Sequence, residues 1–251
     1  MRLSRLIGLF VAVASAAAQT QADGGIGMDG AGKQVLESIH VPPIAGAPFS
    51  LTLATEWTRP LLQGGTFTVE NVRPIKRDSR GRIYEERWLL SPKGSNNMPS
   101  RRSYIQIYDP TAETFYECAD RTHICELYDW PKTQRAPEIP IRTESGPLPD
   151  GRGFRTREDR GVETFAGLPV HSYRDTVVLN PGVMGNDRPM TYVRDLRYSE
   201  ALHFNLSSIL QTPTVGEQRF RVLEIVTTEP EAKWFEVPEG YRVVDKRQAA
   251  R

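Results

Sequence analysis

Cys118 and Cys125 are the residues whose type and spacing point most directly to chemistry. They flank six residues, on runs Thr114 to Ala119 and His123 to Trp130 that read as two strands of one hairpin. Paired directly across that hairpin, they set Tyr116 opposite Leu127 and Phe115 opposite Tyr128, so both alignments match apolar partners. A directly opposed pair holds its Cα atoms roughly 4.5 to 5.5 Å apart, within reach of a disulfide. For so short a loop the chain-entropy gain is about 2.5 kcal/mol. The sharper alternative is a metal held by both thiolates, with His123 between them. A tetrahedral ion needs four ligands, however, and no second Cys or His pair is spaced to complete it. The spacing favours a disulfide; no metal and no cofactor are expected.

The same register places Glu117 opposite Glu126. Close carboxylates push their pKa values apart, which is the basis of acid/base and glycosidase pairs. Adjacent strand carboxylates are also commonplace on a solvated face, relieved by a cation such as Arg121. His40, His123, His171 and His203 are scattered and form no HExxH or other spaced ligand set. There is no G-x-S-x-G elbow, so a Ser-His-Asp triad would have to assemble from distant residues. Catalytic residues are therefore expected to be none. Arg73, Lys76, Arg77, Arg80 and Arg82 gather on one hairpin, and Arg152, Arg155, Arg157 and Arg160 on what reads as a loop. Asp78, Glu158 and Asp159 among them point to a solvated mixed surface rather than an anion grip. Gly25-Ile26-Gly27-Met28-Asp29-Gly30 matches G-x-G-x-x-G in letters only, because no strand precedes it.

The elements that must position these residues are strands. Phe49, Leu51 and Leu53 alternate with polar neighbours. Thr66 to Ile75 and Arg82 to Leu90 flank the turn signal Asp78-Ser79-Arg80-Gly81. Ser103 to Asp109 precedes the cysteine hairpin. Pro131 to Arg157, with five prolines, reads as a long surface connection. Strands resume at Gly161 to Phe165, Val170 to Leu179, Thr191 to Arg197 and Ala201 to Leu206. The end, Gly216 to Asp245, reads as a strand, a turn and a closing strand at Tyr241 to Val244. Thr228 and Glu231 have capping-box spacing before one helical turn, Ala232 to Glu236, that Pro238 stops. Trp234 and Phe235 on that turn are the candidate structural plug. The pattern predicts a mainly β fold: a single antiparallel, strongly curved sheet or half-barrel of about 10 or 11 strands, with one or two short helical turns. There is no β-helix-β alternation that would make a parallel α/β sheet.

The first residues set the compartment. Arg2 and Arg5 precede the apolar run Leu6 to Val13 and the small residues Ala14 to Ala18, the pattern of a secretory signal peptide cleaved after Ala18. The expected organisation is a signal peptide at 1–18, a flexible leader at 19–47, one β domain at 48–245 and a tail at 246–251. The run is too short to span ~30 Å of hydrocarbon, and no later segment is long and apolar enough to be transmembrane. Without Arg2 and Arg5 the chain carries about −1 net charge, from 32 basic and 31 acidic residues in the whole. Such a balance gives no field suited to nucleic acid.

Two blocks, Phe49 to Leu90 and Gly161 to Asp245, resemble a group of uncharacterised secreted bacterial proteins. The likeness rests on the turn Arg77 to Arg82, on Gly216-Glu217-Gln218, Ile225 and Glu229-Pro230, and on Phe235 to Pro238 with Gly240-Tyr241. It covers about half of the chain and implies no activity. In strand count and late aromatic turn the chain also resembles periplasmic lipoprotein-carrier (Lol-type) half-barrels. That resemblance implies a secreted or periplasmic, non-catalytic binding or carrier domain. Its partner would be an apolar ligand or a lipidated protein, with ligand-binding residues unknown. The alternatives are an interaction module in a cell-envelope complex and, behind it, a secreted hydrolase. An enclosed apolar cavity, an exposed docking surface, or a cleft joining Ser, His and a carboxylate would separate the three.

Overall fold

The computed structural model describes residues 36, 38–130 and 144–247. The expected signal peptide, the glycine motif at 25–30 and the final residues of the tail lie outside them. So do most of the expected leader and the proline-rich stretch 131–143.

The described chain forms one sheet of fourteen strands, with two short 3-10 turns. The first meander runs through β1 (Phe49–Pro60), β2 (Thr66–Arg77), β3 (Ile83–Trp88), β4 (Ser91–Pro92), β5 (Arg102–Asp109), β6 (Thr114–Ala119) and β7 (Ile124–Asp129). The second begins with β8 (Gly146–Pro147) at the far edge and returns through β9 (Gly153–Phe165), β10 (Leu168–Leu179), β11 (Met190–Ser199), β12 (Phe204–Thr212) and β13 (Gly216–Val226). β13 pairs with β1 and so joins the two meanders. The chain then recrosses the first meander to lay β14 (Arg242–Asp245) beside β7.

Strand alternation explains the core. Phe49, Leu51, Leu53 and Trp57 share one face of β1, and all four are buried. Ile75 of β2 stands opposite Leu51 and Val222 of β13 opposite Leu53, with Phe220 opposite Thr55 of the same face, and all of them are buried. Leu206 and Phe204 of β12 complete this cluster, with the Phe204 ring 5.2 Å from that of Phe49. The opposite face carries a second cluster over β3, β5, β6 and β7: Tyr84, Ile105, Ile107, Cys118 and Cys125. Asp78 shapes the β2–β3 turn by accepting from the Arg80 and Arg82 amides at 3.0 and 2.8 Å. Gly81 stands there at φ +85°, where a side chain would lie 3.1 Å from the Pro43 carbonyl.

Several expectations are corrected. The sheet has more strands than the 10 or 11 read from the sequence, and β4 and β8, only two residues long, are among those the pattern does not reveal. It is not wholly antiparallel, since β14 pairs parallel to β7. The stretch read as loop up to Arg157 already forms β9 from Gly153, so Arg155, Arg157 and Arg160 are strand residues. The end of the stretch expected as leader packs on the sheet, with Ile39 and Val41 buried. The capping box does not form. The 3-10 turn Ala232–Phe235 has no side-chain cap, and the Glu231 carboxylate pairs with Lys233 at 2.7 Å, while neighbouring Glu229 accepts from the Ser79 amide and hydroxyl.

Candidate functional site

The cysteines are bridged. Cys118 lies opposite Cys125, both fully buried, with their Cα atoms 3.8 Å apart. Tyr116 faces Leu127 and Phe115 faces Tyr128, the register that the sequence predicts. His123 sits in the turn at φ 50°, its ring 5.1 Å from that of Tyr241. Among the described residues no group of three His, Cys, Asp or Glu side chains is placed to hold a metal ion.

Glu117 and Glu126 also stand opposite each other, but each has its own partner. Gln106 Nε2 donates to Glu117 at 2.7 Å. Glu126 accepts from the Tyr128 hydroxyl and lies 3.6 Å from Lys246 Nζ, so the relieving cation is Lys246 rather than Arg121. The carboxylate acceptor beside Tyr128 pushes its phenol up to about 12. This arrangement ties each carboxylate into a surface ladder of its own partners.

Trp234 and Phe235 lie where the chain recrosses the sheet. Phe235 is buried among the cluster around the disulfide, and Trp234 packs edge-on against Tyr84 at 5.1 Å. Arg82 lies over the Phe235 ring at 4.7 Å and Lys76 over Trp234 at 4.5 Å. A polar chain fastens the same segment. Glu86 accepts from the hydroxyl of Tyr84 at 2.5 Å, the indole of Trp88 at 2.6 Å and Arg102 at 3.0 Å. Arg102 also reaches Asp120, which accepts from the Tyr241 hydroxyl at 2.8 Å.

On the other face two arginines are buried. Arg73 pairs with Glu85 at 3.2 Å and donates to Ser38 at 2.6 Å. Arg77 has no solvent exposure, and its side chain donates to three backbone carbonyls: Ala47 at 2.9 Å, Pro42 at 2.8 Å and Leu202 at 3.1 Å. Burial lowers its pKa to about 10. These two guanidiniums, read from sequence as part of a solvated basic hairpin, are the clamps that hold residues 38–47 on the sheet.

The second meander is built differently. Along β9, β10 and β11 only Val170, Ser172 and Ser199 are buried; the rest of both faces is half-exposed or exposed. Ion pairs cover it. Arg174 grips Asp195 bidentately at 2.7 Å on each oxygen, and Arg157 does the same to Asp175. An open notch of about 270 Å³ lies beside the Arg174–Asp195 pair, lined by Arg160, Glu163, Ser172, Asp195, Arg197 and Ile209 among others. Within it Ser172 donates to Glu163, which also accepts from Arg197 at 2.8 Å. Both interactions hold the Glu163 carboxyl below its usual range, the serine first. His171 is adjacent in sequence but bonds Asp159 at 2.6 Å and stacks on Tyr173. Ser172 therefore has a carboxylate acceptor and no imidazole base, so this is no hydrolytic triad. The sequence reasoning missed these residues. Their signal was the density of opposite charges on Arg174, Asp175, Arg194, Asp195 and Arg197 within strand-like runs.

No protein-family profile and no curated protein matches the chain. Among solved structures it is similar to an uncharacterised conserved protein from Thermus thermophilus, at 9% identity over 80% of this chain and 91% of that one, with a TM-score of 0.39. It is also similar to the Pseudomonas aeruginosa MucA/MucB complex, at 15% identity and a TM-score of 0.37, covering 78% of this chain but only 58% of that one. A putative outer membrane lipoprotein-sorting protein domain from Vibrio parahaemolyticus gives 11% identity and a TM-score of 0.21, over 76% of this chain and 90% of that one. Uncharacterised and lipoprotein-sorting proteins are the company that the sequence resemblance names. At these scores no residue role passes from them to this chain.

Proposed function

We propose that the chain is a non-catalytic binding domain that works outside the cytoplasm, in the cell envelope, and that β9 to β11 receive a protein partner. The observation that carries this reading is the contrast between the two meanders. The first buries a cluster on each face, under residues 38–47 on one side and the Trp234 segment on the other. The second presents two ion-paired faces on which, among the described residues, few side chains are buried. Such a surface suits polar, register-specific docking, in which charge pairs set orientation and exclude wrong partners. The buried disulfide fits an oxidising compartment. A carrier of apolar ligand is less well supported, because the apolar face of β1 and β13 is filled by Phe49, Leu53, Phe204, Leu206 and Phe220.

Site-specific photo-crosslinking in cells tests the reading, with the probe at exposed Thr156 or Thr191 on the second meander. One discrete protein adduct is expected from these positions, lost when Arg174→Glu reverses the charge paired with Asp195. Absence of an adduct at both positions, or one indifferent to Arg174→Glu, would count against docking there. Saturable binding of an apolar fluorescent probe to the purified chain would favour the carrier instead.

A further inference from the structure

Three connections meet at one end of the sheet, away from the β9 to β11 faces. The β1–β2 turn, residues 61–65, exposes Leu61 at 52% and Leu62 completely. The long β3–β5 connection is drawn against it by β4, which pairs with Val69 and Glu70, and by the Lys93 amide donating to the Thr68 carbonyl at 2.9 Å. This connection exposes Leu89 at 49% and Met98 at 62%. The β12–β13 turn is pinned alongside by the Trp57 indole, which donates to the Val215 carbonyl at 2.7 Å. Close approach fixes that position too, since a Cβ on Gly216 would fall 2.2 Å from the Thr58 carbonyl.

We infer that this end docks on a lipid surface that carries anionic headgroups. Two features select that occupant. First, the apolar side chains stand on the tips of separate loops rather than in a groove. A fluid acyl layer can close around projecting tips, whereas a folded partner would need a matching set of holes. Second, the charges on the loops themselves have one sign. Residues 61–65, 89–101 and 213–215 contain Lys93 and Arg101 and no carboxylate. Arg59 stands at the base of the β1–β2 turn, 4.4 Å over the Trp57 ring and 5.6 Å over that of Phe67. Lys93 is neutralised by Glu56 at 2.8 Å and Glu70 at 3.5 Å on the flanking strands, which leaves Arg59 and Arg101 to meet headgroups. The inference is independent of docking on β9 to β11, which uses another part of the sheet.

Co-sedimentation of the mature chain with vesicles tests it, using phosphatidylcholine alone and phosphatidylcholine mixed with phosphatidylglycerol. The expected result is partition onto the mixed vesicles that weakens as salt is raised. The Leu61→Ser/Leu62→Ser variant should lower this partition about tenfold, and Arg101→Glu severalfold, as fewer apolar and cationic contacts reach the lipid. Both changes lie on exposed residues, and an unchanged circular dichroism melt for each variant confirms that the sheet is intact. Equal partition onto phosphatidylcholine alone, no sedimentation with either lipid, or unaltered partition of the double leucine variant would overturn the inference.

Discussion

Val243 lies opposite Cys125 in a parallel pairing, so the last strand of the chain rests on the strand that carries half of the disulfide. The Arg242 amide donates to the His123 carbonyl at 2.9 Å and the Lys246 amide to the Leu127 carbonyl at 2.8 Å. The hairpin and the C-terminal strand are thus one assembly at the edge of the sheet. Replacing both cysteines by alanine should cost about 2.5 kcal/mol from the loss of loop closure. The loss should appear first as faster amide exchange at Val243 and Val244. Intact mass with and without reduction checks the bridge itself, because two thiols alkylated before reduction would contradict it.

Phe235 and Trp234 should not be equivalent. Phe235 is buried in the cluster under the recrossing segment, whereas Trp234 is only partly covered. Phe235→Ala is expected to cost about 3 to 5 kcal/mol, by transfer and cavity together. Trp234→Ala should cost roughly half of that, since its side chain is only partly withdrawn from water. Equilibrium denaturation of the two variants separates a plug from a docking patch. A midpoint unchanged in both would show that neither ring seals the sheet.

Arg77→Lys should be far from conservative. A planar guanidinium reaches three carbonyls in different directions, and an ammonium on a flexible stem cannot. At least one buried carbonyl would lose its donor, at about 1 to 3 kcal/mol each. The expected signature is local: protease sensitivity near residues 42–47 at denaturant concentrations where the first meander is still folded.

Acid should loosen the second meander through its ion pairs. Arg174, with Arg160 beside it, holds the Asp195 carboxyl below its ordinary 3.8. A folded pKa below the unfolded one gives stability that is complete above the unfolded value and is lost as pH falls through the folded value. The pair is partly exposed, so its share should stay under about 1 kcal/mol. A carbon-detected carboxyl titration should find the Asp195 midpoint depressed. Asp195→Asn should flatten the acid limb of the stability curve below about pH 4.

The sequence reveals what neighbours in the chain decide. The cysteine hairpin and its register are legible because both strands lie within a few residues of their turn, and each apolar match can be counted. The Asp78 turn is legible because its side chain bonds its own backbone. The second meander is not, since Arg157 finds its carboxylate 18 residues away and Arg160 finds Asp195 35 residues away. Without those partners the run Arg155 to Arg160 looks too charged for a strand. The parallel placement of β14 is hidden for a similar reason. A strand, a turn and a strand read locally as a hairpin, and nothing in the letters says that the turn spans the first meander. Residues 38–47 look like leader because their anchors, Arg73 and Arg77, lie some thirty residues downstream.

The strand made first ends in the middle of the finished sheet. β1 has β2 on one side at once, but its other side waits for β13, and the Trp57 to Gln218 match spans most of the domain. Loop closure over such a distance is slow, and β strands with one open edge are exposed to wrong pairings while they wait. The order of assembly follows from the topology. The first meander forms as a unit with β1 as its open margin, the second builds inward from β9, and the meeting of β1 with β13 is the step on which both depend. The Phe235 segment arrives only after β13, so the face with Tyr84 and Ile107 stays bare until the chain is nearly complete. Truncation before residue 232 would remove that cover and leave all but one of the fourteen strands in place.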